Sequence, residues 1–348
     1  MITLQDIFGQ DQAVETLLRA YRADRLPHGM IFAGRVGVGK ATAARGLATL
    51  FLCESPKGER PCGKCDSCVL MSVGNQDGSS NHPDFHVIYR QLIRLEKSES
   101  KARDLPVNVI REFLIGPASR SSVKGRGKVF VVEEADLMNP QAQNALLKTL
   151  EEPSGRTLLI LITDQPDCLL PTIRSRCQIV RFASLDEKVV QRELEKRKIA
   201  KQPAAEAAAL SEGSLGLALR WIEDGVVERA RELLKQVDGL VDGRPPAIDL
   251  QDFFKKAADA YAEKQLERDN KSSKDQATKE GLGLYLRLAA TRLRQHLPDV
   301  SGDAELAESC CAGIDAITRA EGYLDSNVNV PLTLQQLAVS LEQQLVRA

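Results

Sequence analysis

The run Gly34-Arg-Val-Gly-Val-Gly39-Lys40 constrains this chain more than any other feature. It follows a short apolar run at 30–33 and precedes a helical pattern through Ala43, Ala44, Leu47, Ala48 and Phe51. Strand, glycine-rich loop and helix form the context in which G-x-x-x-x-G-K cradles phosphate. Backbone N–H groups of the loop and of the helix N-terminus point at the anion, and the lysine meets its outer oxygens. Gly34, Gly37, Gly39 and Lys40 are therefore candidate phosphate-binding residues. The hydroxyl expected after the lysine, which would hold Mg²⁺, is missing. Ala41 stands there, and Thr42 lies about 100° further round the helix. The pattern predicts phosphate binding more strongly than turnover. A loop that holds nothing in the free chain is the competing reading.

A second signal is Val129-Phe-Val-Val-Glu133-Glu134-Ala135-Asp136. In a nucleotide hydrolase a buried strand ends in an Asp that helps hold Mg²⁺, followed by a Glu that can polarise water. Glu133 occupies the first position with a side chain one methylene longer than a tight octahedral shell favours. Glu134 occupies the second. A solvated strand end is the plainer alternative.

Apolar, β-prone runs predict strands at 30–33, 85–89, 128–132, 157–163 and 178–182. Helical spacing predicts helices at 4–24, from Lys40 through Phe51, at 107–114 and at 139–150. Short buried strands alternating with helices imply a parallel sheet covered on both faces. The polar stretches 74–81 and 91–104 read as exposed loops. Beyond 184 the strand signals stop. Helices are expected at 185–197, 203–211, 215–222, 249–267, 279–296, 303–322 and 332–346. A break is expected at Asp242-Gly-Arg-Pro-Pro-Ala, and a loose stretch at 267–280.

Four of the eight cysteines fall within 53–68 as C-x8-C-x2-C-x2-C, at Cys53, Cys62, Cys65 and Cys68. Two overlapping C-x2-C units bring three thiolates together and a fourth closes a tetrahedron around Zn²⁺. With every position a cysteine, no open coordination site is implied, so the expected metal is structural. Four idle thiols are the alternative. The N-terminus has no basic start followed by an apolar core, so a secretory signal and a disulfide framework are not expected.

The 348 residues suggest two or three domains. No apolar run approaches the roughly 20 residues that span a bilayer, and a cytoplasmic protein without a membrane partner is expected. A net charge of −1 argues against a strongly basic nucleic-acid wrapper, and 4% aromatic residues against base-stacking platforms.

Together these residues resemble the AAA+ subunits of bacterial clamp loaders. The likeness is carried by Gly9-Gln10, His28, the phosphate loop, the four-cysteine knuckle and His82-Pro83-Asp84. It is also carried by Asn144-Ala-Leu-Leu-Lys-Thr-Leu-Glu-Glu-Pro153 and Ser175-Arg176-Cys177. It covers 1–183 and extends more weakly to the C-terminus. It implies an α/β P-loop AAA+ core over 1–183, with a parallel sheet, helices on both faces and a zinc module inserted at 53–68. An all-α lid over 184–240 and an all-α collar over 241–348 would follow.

In this family the arginine of S-R-C acts in trans, so the resemblance assigns Arg176 as a finger reaching ATP held by a neighbouring subunit. It places Thr163 at the sensor-1 position, where it could sense the γ-phosphate or only end the strand. Gly216 stands where the motor subunit carries an arginine. Ala41, Glu133 and Gly216 are three departures at nucleotide contacts, and they point to the delta-prime type. That type would sit in a hetero-pentamer with gamma/tau-type and delta-type subunits of the DNA polymerase III holoenzyme. It would help load a sliding clamp onto primer–template DNA. Glu134 would be a residual base, and ATP with Mg²⁺ would meet a degenerate site. Two other readings are an ATP-hydrolysing gamma/tau-type motor and a zinc-stabilised nucleic-acid-binding module. His82-Pro-Asp reads as a structural turn, and Cys177 as a packed residue.

Overall fold

A computed structural model describes residues 2–73, 80–96, 104–268, 273–297, 303–326 and 328–346. They divide into two compact units, one of residues 1–190 with 211–217 and one of 191–210 with 218–348.

The first unit is built in the order α1 (Asp11–Arg22), β1 (Gly29–Ala33), α2 (Lys40–Leu52), α3 (Asp66–Ser72), β2 (Phe85–Ile88), α4 (Ile93–Glu96), α5 (Val107–Ile110) and α6 (Gly116–Ala118). It continues with β3 (Lys128–Val132), α7 (Pro140–Glu151), β4 (Thr157–Thr163), α8 (Pro171–Arg174) and β5 (Gln178–Arg181). The five strands form one sheet in the order β2-β3-β4-β1-β5, with all pairs parallel. All five expected strands are present.

Side chains alternate between two cores. Met30, Phe32, Val129, Val131, Leu158 and Ile160 join Leu47 and Leu50 of α2 on one face. Ile31, Phe130, Val132, Leu159 and Leu161 join Leu146 and Leu150 of α7 on the other. β1, β3 and β4 are buried along their whole length. β5 is an edge strand and is mostly exposed.

Three boundaries differ from the sequence expectation. The first helix begins at Asp11, because Leu4–Asp6 forms a separate 3₁₀ turn and Gly9 takes a left-handed φ of 67°. The expected loop 91–104 is partly helical at Arg90–Leu92 and Ile93–Glu96, where Leu92 and Ile93 are buried. Residues 97–103, and 74–79 of the other polar stretch, lie outside the described residues. The stretch 267–280 is helical at both ends, and 269–272 lie outside the description.

In the second unit run α9 (Glu187–Lys196), which straddles the boundary, α10 (Lys201–Leu210), α11 (Leu215–Glu223, also straddling), α12 (Val226–Val241), α13 (Leu250–Arg268), α14 (Lys274–His296), α15 (Ala304–Asp325) and α16 (Val330–Leu345). The sequence reading did not single out α12, although Val226, Ala230, Leu233, Val237 and Leu240 form its buried face. Gly281 lets α14 approach α13, since a Cβ there would stand 3.0 Å from the Ala258 Cα. Asp238 receives hydrogen bonds from Arg292 at 2.6 and 2.9 Å and lies 2.8 Å from His296 Nε2, tying α12 to α14. Among the described residues no helix is long and apolar enough to cross a membrane.

Candidate nucleotide loop, arginine finger and metal centre

The phosphate loop leaves β1 at the carboxyl edge of the sheet. Gly34 N–H donates to the Thr163 carbonyl at 3.2 Å, beside the Ala33–Thr163 pairing of β1 and β4. Gly37 and Gly39 hold left-handed φ values of 77° and 102°, and Gly39 caps α2. Lys40 is the first residue of α2 and is 6% exposed. Its ammonium donates to the Gly34 carbonyl, and to that of Arg35 at 2.7 Å. Burial lowers its pKa to about 8, opposed by the charges of Asp164 and Asp136. Ala41 and Thr42 are exposed.

The loop is covered by residues 211–217. Gly216 N–H donates to the Gly37 carbonyl at 3.0 Å. A Cβ on Gly37 would lie 2.4 Å from Ser214 Oγ, and one on Gly216 would lie 2.6 Å from Gly37 O. Arg35 pairs with Glu212. Gly216 therefore does more than omit a side chain: its bare Cα is what allows this segment to sit on the loop. Sequence reasoning could not see that contact.

The acidic residues are arranged differently from their order in sequence. Glu133 N–H donates to the Ile88 carbonyl at 2.8 Å, which sets the end of β3. Glu134 takes a left-handed φ of 50°, and its carboxylate lies 3.0 Å from Arg90 Nε. A non-glycine residue in that conformation is uncommon and concentrates at functional sites. Thr163 Oγ1 donates to Asp136 at 2.6 Å and accepts from Gln165 N–H at 2.9 Å. The carboxylates whose charge Lys40 feels are thus Asp136 and Asp164. Asp136 stood in the quoted acidic run. Asp164 was findable only through the pairing of β4 with β1.

Arg176 follows the short helix α8. Its side chain is 37% exposed; one guanidinium nitrogen donates to the Thr172 carbonyl at 3.0 Å and another lies 2.5 Å from the Glu151 carboxylate. Arg174 pairs with Asp167 instead. Buried Gln143 of α7 fixes the preceding segment: it donates to Met138 O at 3.0 Å and accepts from Leu170 N–H at 2.7 Å. Burial raises the Cys177 thiol to about 12, so it stays protonated at neutral pH and is a poor nucleophile. His82 Nδ1 accepts from Asp84 N–H at 3.1 Å, while the Asp84 carboxylate accepts from Val123 and Lys124 N–H at 2.7 and 2.8 Å. This is a turn braced by hydrogen bonds.

Cys53 caps the end of α2, and Cys65 caps the start of α3, which carries Cys68. Gly58 and Gly63 turn the chain between them with φ of 61° and 74°. All four sulfurs lie within 4.8 Å of one another. Cys53–Cys65 and Cys62–Cys68 are each 3.9 Å apart. A tetrahedral site with Zn–S of about 2.3 Å has sulfurs about 3.8 Å apart, so the four thiols fit a metal ion of that size. Backbone N–H groups of Lys64 and Cys65 lower the Cys62 thiol to about 6, whereas burial pushes Cys53 and Cys68 up. A divalent cation would offset that burial and favour four thiolates.

Comparison with known proteins fixes the family. The model of the family described as "DNA polymerase III, delta subunit" matches residues 9–186. The DNA polymerase III subunit delta′ of Pseudomonas aeruginosa is 35% identical over 243 residues, 68% of this chain and 68% of that protein. The chain belongs to the DNA polymerase III delta-prime family. The Escherichia coli delta-prime subunit is 34% identical over 223 residues, covering 64% of this chain and 62% of that protein. The tau subunit of Escherichia coli is 31% identical over 231 residues, but these cover only 33% of its length. The likeness to delta-prime thus spans most of the relative and the likeness to tau a third of it, which favours the delta-prime reading over the motor reading.

Proposed function

We propose that this delta-prime chain is a stator-like, finger-donating subunit of the bacterial DNA polymerase III clamp loader. It acts in the cytoplasm, within a hetero-pentamer of gamma/tau-type and delta-type subunits that places a sliding clamp on primer–template DNA. Residues 1–183 serve as the AAA+ core, 184–240 as a helical lid and 241–348 as a collar. The observation that carries the reading is the contrast between two sites of one chain. The chain's own phosphate loop is filled by Lys40 and covered by 211–217. Arg176 stands at the surface on a braced segment, held by one half-exposed carboxylate.

An arginine finger works by placing a fixed planar cation against the charge that builds on the transferring phosphoryl group. Arg176 would leave Glu151 for the γ-phosphate of ATP on the neighbouring subunit, an exchange between two anionic partners. At its own loop, nucleotide must displace Lys40 from the Gly34 and Arg35 carbonyls and part Gly216 from Gly37, and Ala41 offers Mg²⁺ no hydroxyl. ATP binding here is weak and turnover slight. Thr163, Glu133 and Glu134 remain as vestiges of a hydrolytic site. Zn²⁺ in the Cys53, Cys62, Cys65 and Cys68 cluster is structural, joining the end of α2 to α3.

The test is the ATPase of the reconstituted complex with Arg176→Ala. Loss of one trans finger lowers kcat of the dependent site by roughly 10³-fold or more, so complex turnover falls while the variant's melting curve is unchanged. Unaltered complex ATPase sinks the finger role.

A further inference from the structure

The parallel register puts the starts of β3 and β4 at the edge of the sheet opposite the phosphate loop. There the residues after α6 and the 154–156 turn before β4 enclose a cavity of about 350 Å³. Its wall carries the hydroxyls of Ser119, Ser121, Ser122 and Ser154 and the guanidiniums of Arg120 and Arg156, and no carboxylate. At its base the buried ammonium of Lys128 is spent on the Ala118 and Arg120 carbonyls, neutralising the end of the helix above it.

Two further observations point to a missing anion. The Nε of neighbouring Arg126 is buried without a hydrogen-bond partner. The Arg156 guanidinium has its pKa lowered, by burial first and by the adjacent charge of Arg126 second, with Asp24 as an opposing carboxylate outside the wall. Like charges crowd here, and a buried donor goes unused, an arrangement that is costly without a counter-charge.

We propose that this cavity is a second anion site, which takes a small phosphate-bearing ligand such as pyrophosphate or the polyphosphate of a nucleotide. Arginine forks match phosphate oxygens in pairs, and serine hydroxyls turn to donate to whichever oxygen is left. The volume falls in the range that encloses a small molecule. A nucleic-acid backbone calls for an extended groove, which a closed wall of this size is not.

The test is calorimetric titration of sodium pyrophosphate into the full chain carrying Lys40→Ala, which removes the lysine of the phosphate loop. Saturable one-site binding is expected, and Ser122→Asp and Arg120→Glu should each weaken it by roughly tenfold or more. Both side chains lie at the surface, so an unchanged circular dichroism spectrum and melting curve check the fold. Competition by ATP identifies a nucleotide as the source of the phosphates, and its failure identifies the inorganic anion. The proposal is overturned if Lys40→Ala alone abolishes binding, or if both cavity substitutions leave it unchanged. It is equally overturned if pyrophosphate is silent while duplex DNA binds in a way that Arg120→Glu weakens.

Discussion

Replacing Gly216 with alanine tests whether the covering segment is held on the phosphate loop by close backbone approach. The added Cβ would lie 2.6 Å from the Gly37 carbonyl oxygen, well inside the roughly 3.3 Å at which carbon meets oxygen. The obstacle is main chain, so no rotamer change relieves it. Overpacking of this kind costs about 1–3 kcal/mol, and the same displacement strains the 3.0 Å bond from Gly216 N–H to Gly37 O. Against this, alanine favours a helix over glycine by about 1 kcal/mol at most, and position 216 is only the second residue of α11. The cost therefore falls on the contact between segment and loop rather than on the fold.

Opening by about 1–3 kcal/mol raises the open population roughly 5- to 150-fold. Amide hydrogen exchange at 34–40 and 211–217 should accelerate by that factor, while amides of 53–68 keep their rates. ATP affinity of the isolated chain should rise with it, since binding needs the open loop. Unchanged exchange in both segments would refute the argument, because it would mean that the contact is not what closes the loop.

Other outcomes follow from the same geometry. Cys62→Ser, or a strong chelator, should lower the melting temperature and free the α2–α3 junction to exchange, with protons taken up as thiolates are released; an unchanged melting curve counts against a structural metal. The two units should respond to acid at different pH. Burial lowers the pKa of His82 and of His86 from 6.5, so the unfolded state binds more protons and the first unit loses stability as pH falls below about 6.5. In the second unit the Arg231 hydrogen bonds lower Glu206 from 4.5. At Asp238, burial raises the pKa but the bonds from Arg292 and His296 outweigh it. Their stabilisation is complete above about pH 4.5 and is lost only below it, which exchange followed segment by segment against pH resolves. Finally, Gln143→Leu strips partners from Met138 O and Leu170 N–H, each worth about 1–3 kcal/mol if left buried; exchange at 165–176 should rise and complex ATPase should fall, with Arg176 itself intact.

The sheet was legible because β1, β3 and β4 are buried on both faces, and total burial writes itself as unbroken apolar runs such as Thr157-Leu-Leu-Ile-Leu-Ile-Thr163. The metal centre was legible because its geometry is local: four ligands within sixteen residues need only two glycine turns. The carboxylates beside Lys40 were not. Asp136 and Asp164 lie almost 100 and more than 120 residues from Lys40, and only the register of β4 on β1 brings them near. The contact of Gly216 with Gly37 was hidden for the same reason, since a glycine in a sequence names a missing side chain but not the atom that comes to fill its place.

The departures from a working ATP site support one another physically. A lysine that meets phosphate must stay charged and extended; here Lys40 turns back onto two loop carbonyls, and burial lowers its pKa to about 8. An arginine at 216 would need space that the Gly37 carbonyl occupies, so the covering segment and a nucleotide-contacting side chain exclude each other at this position. Ala41 removes the metal ligand that would help a nucleotide reopen the loop. Restoring one element is therefore insufficient: Ala41→Ser alone leaves the loop closed, and Gly216→Ala alone opens it without a metal ligand. The double substitution should bind Mg²⁺·ATP more tightly than the sum of the two single effects predicts, by an interaction of roughly 0.5–3 kcal/mol in a double-mutant cycle. Strict additivity would show that closure of the loop and loss of the magnesium ligand are independent.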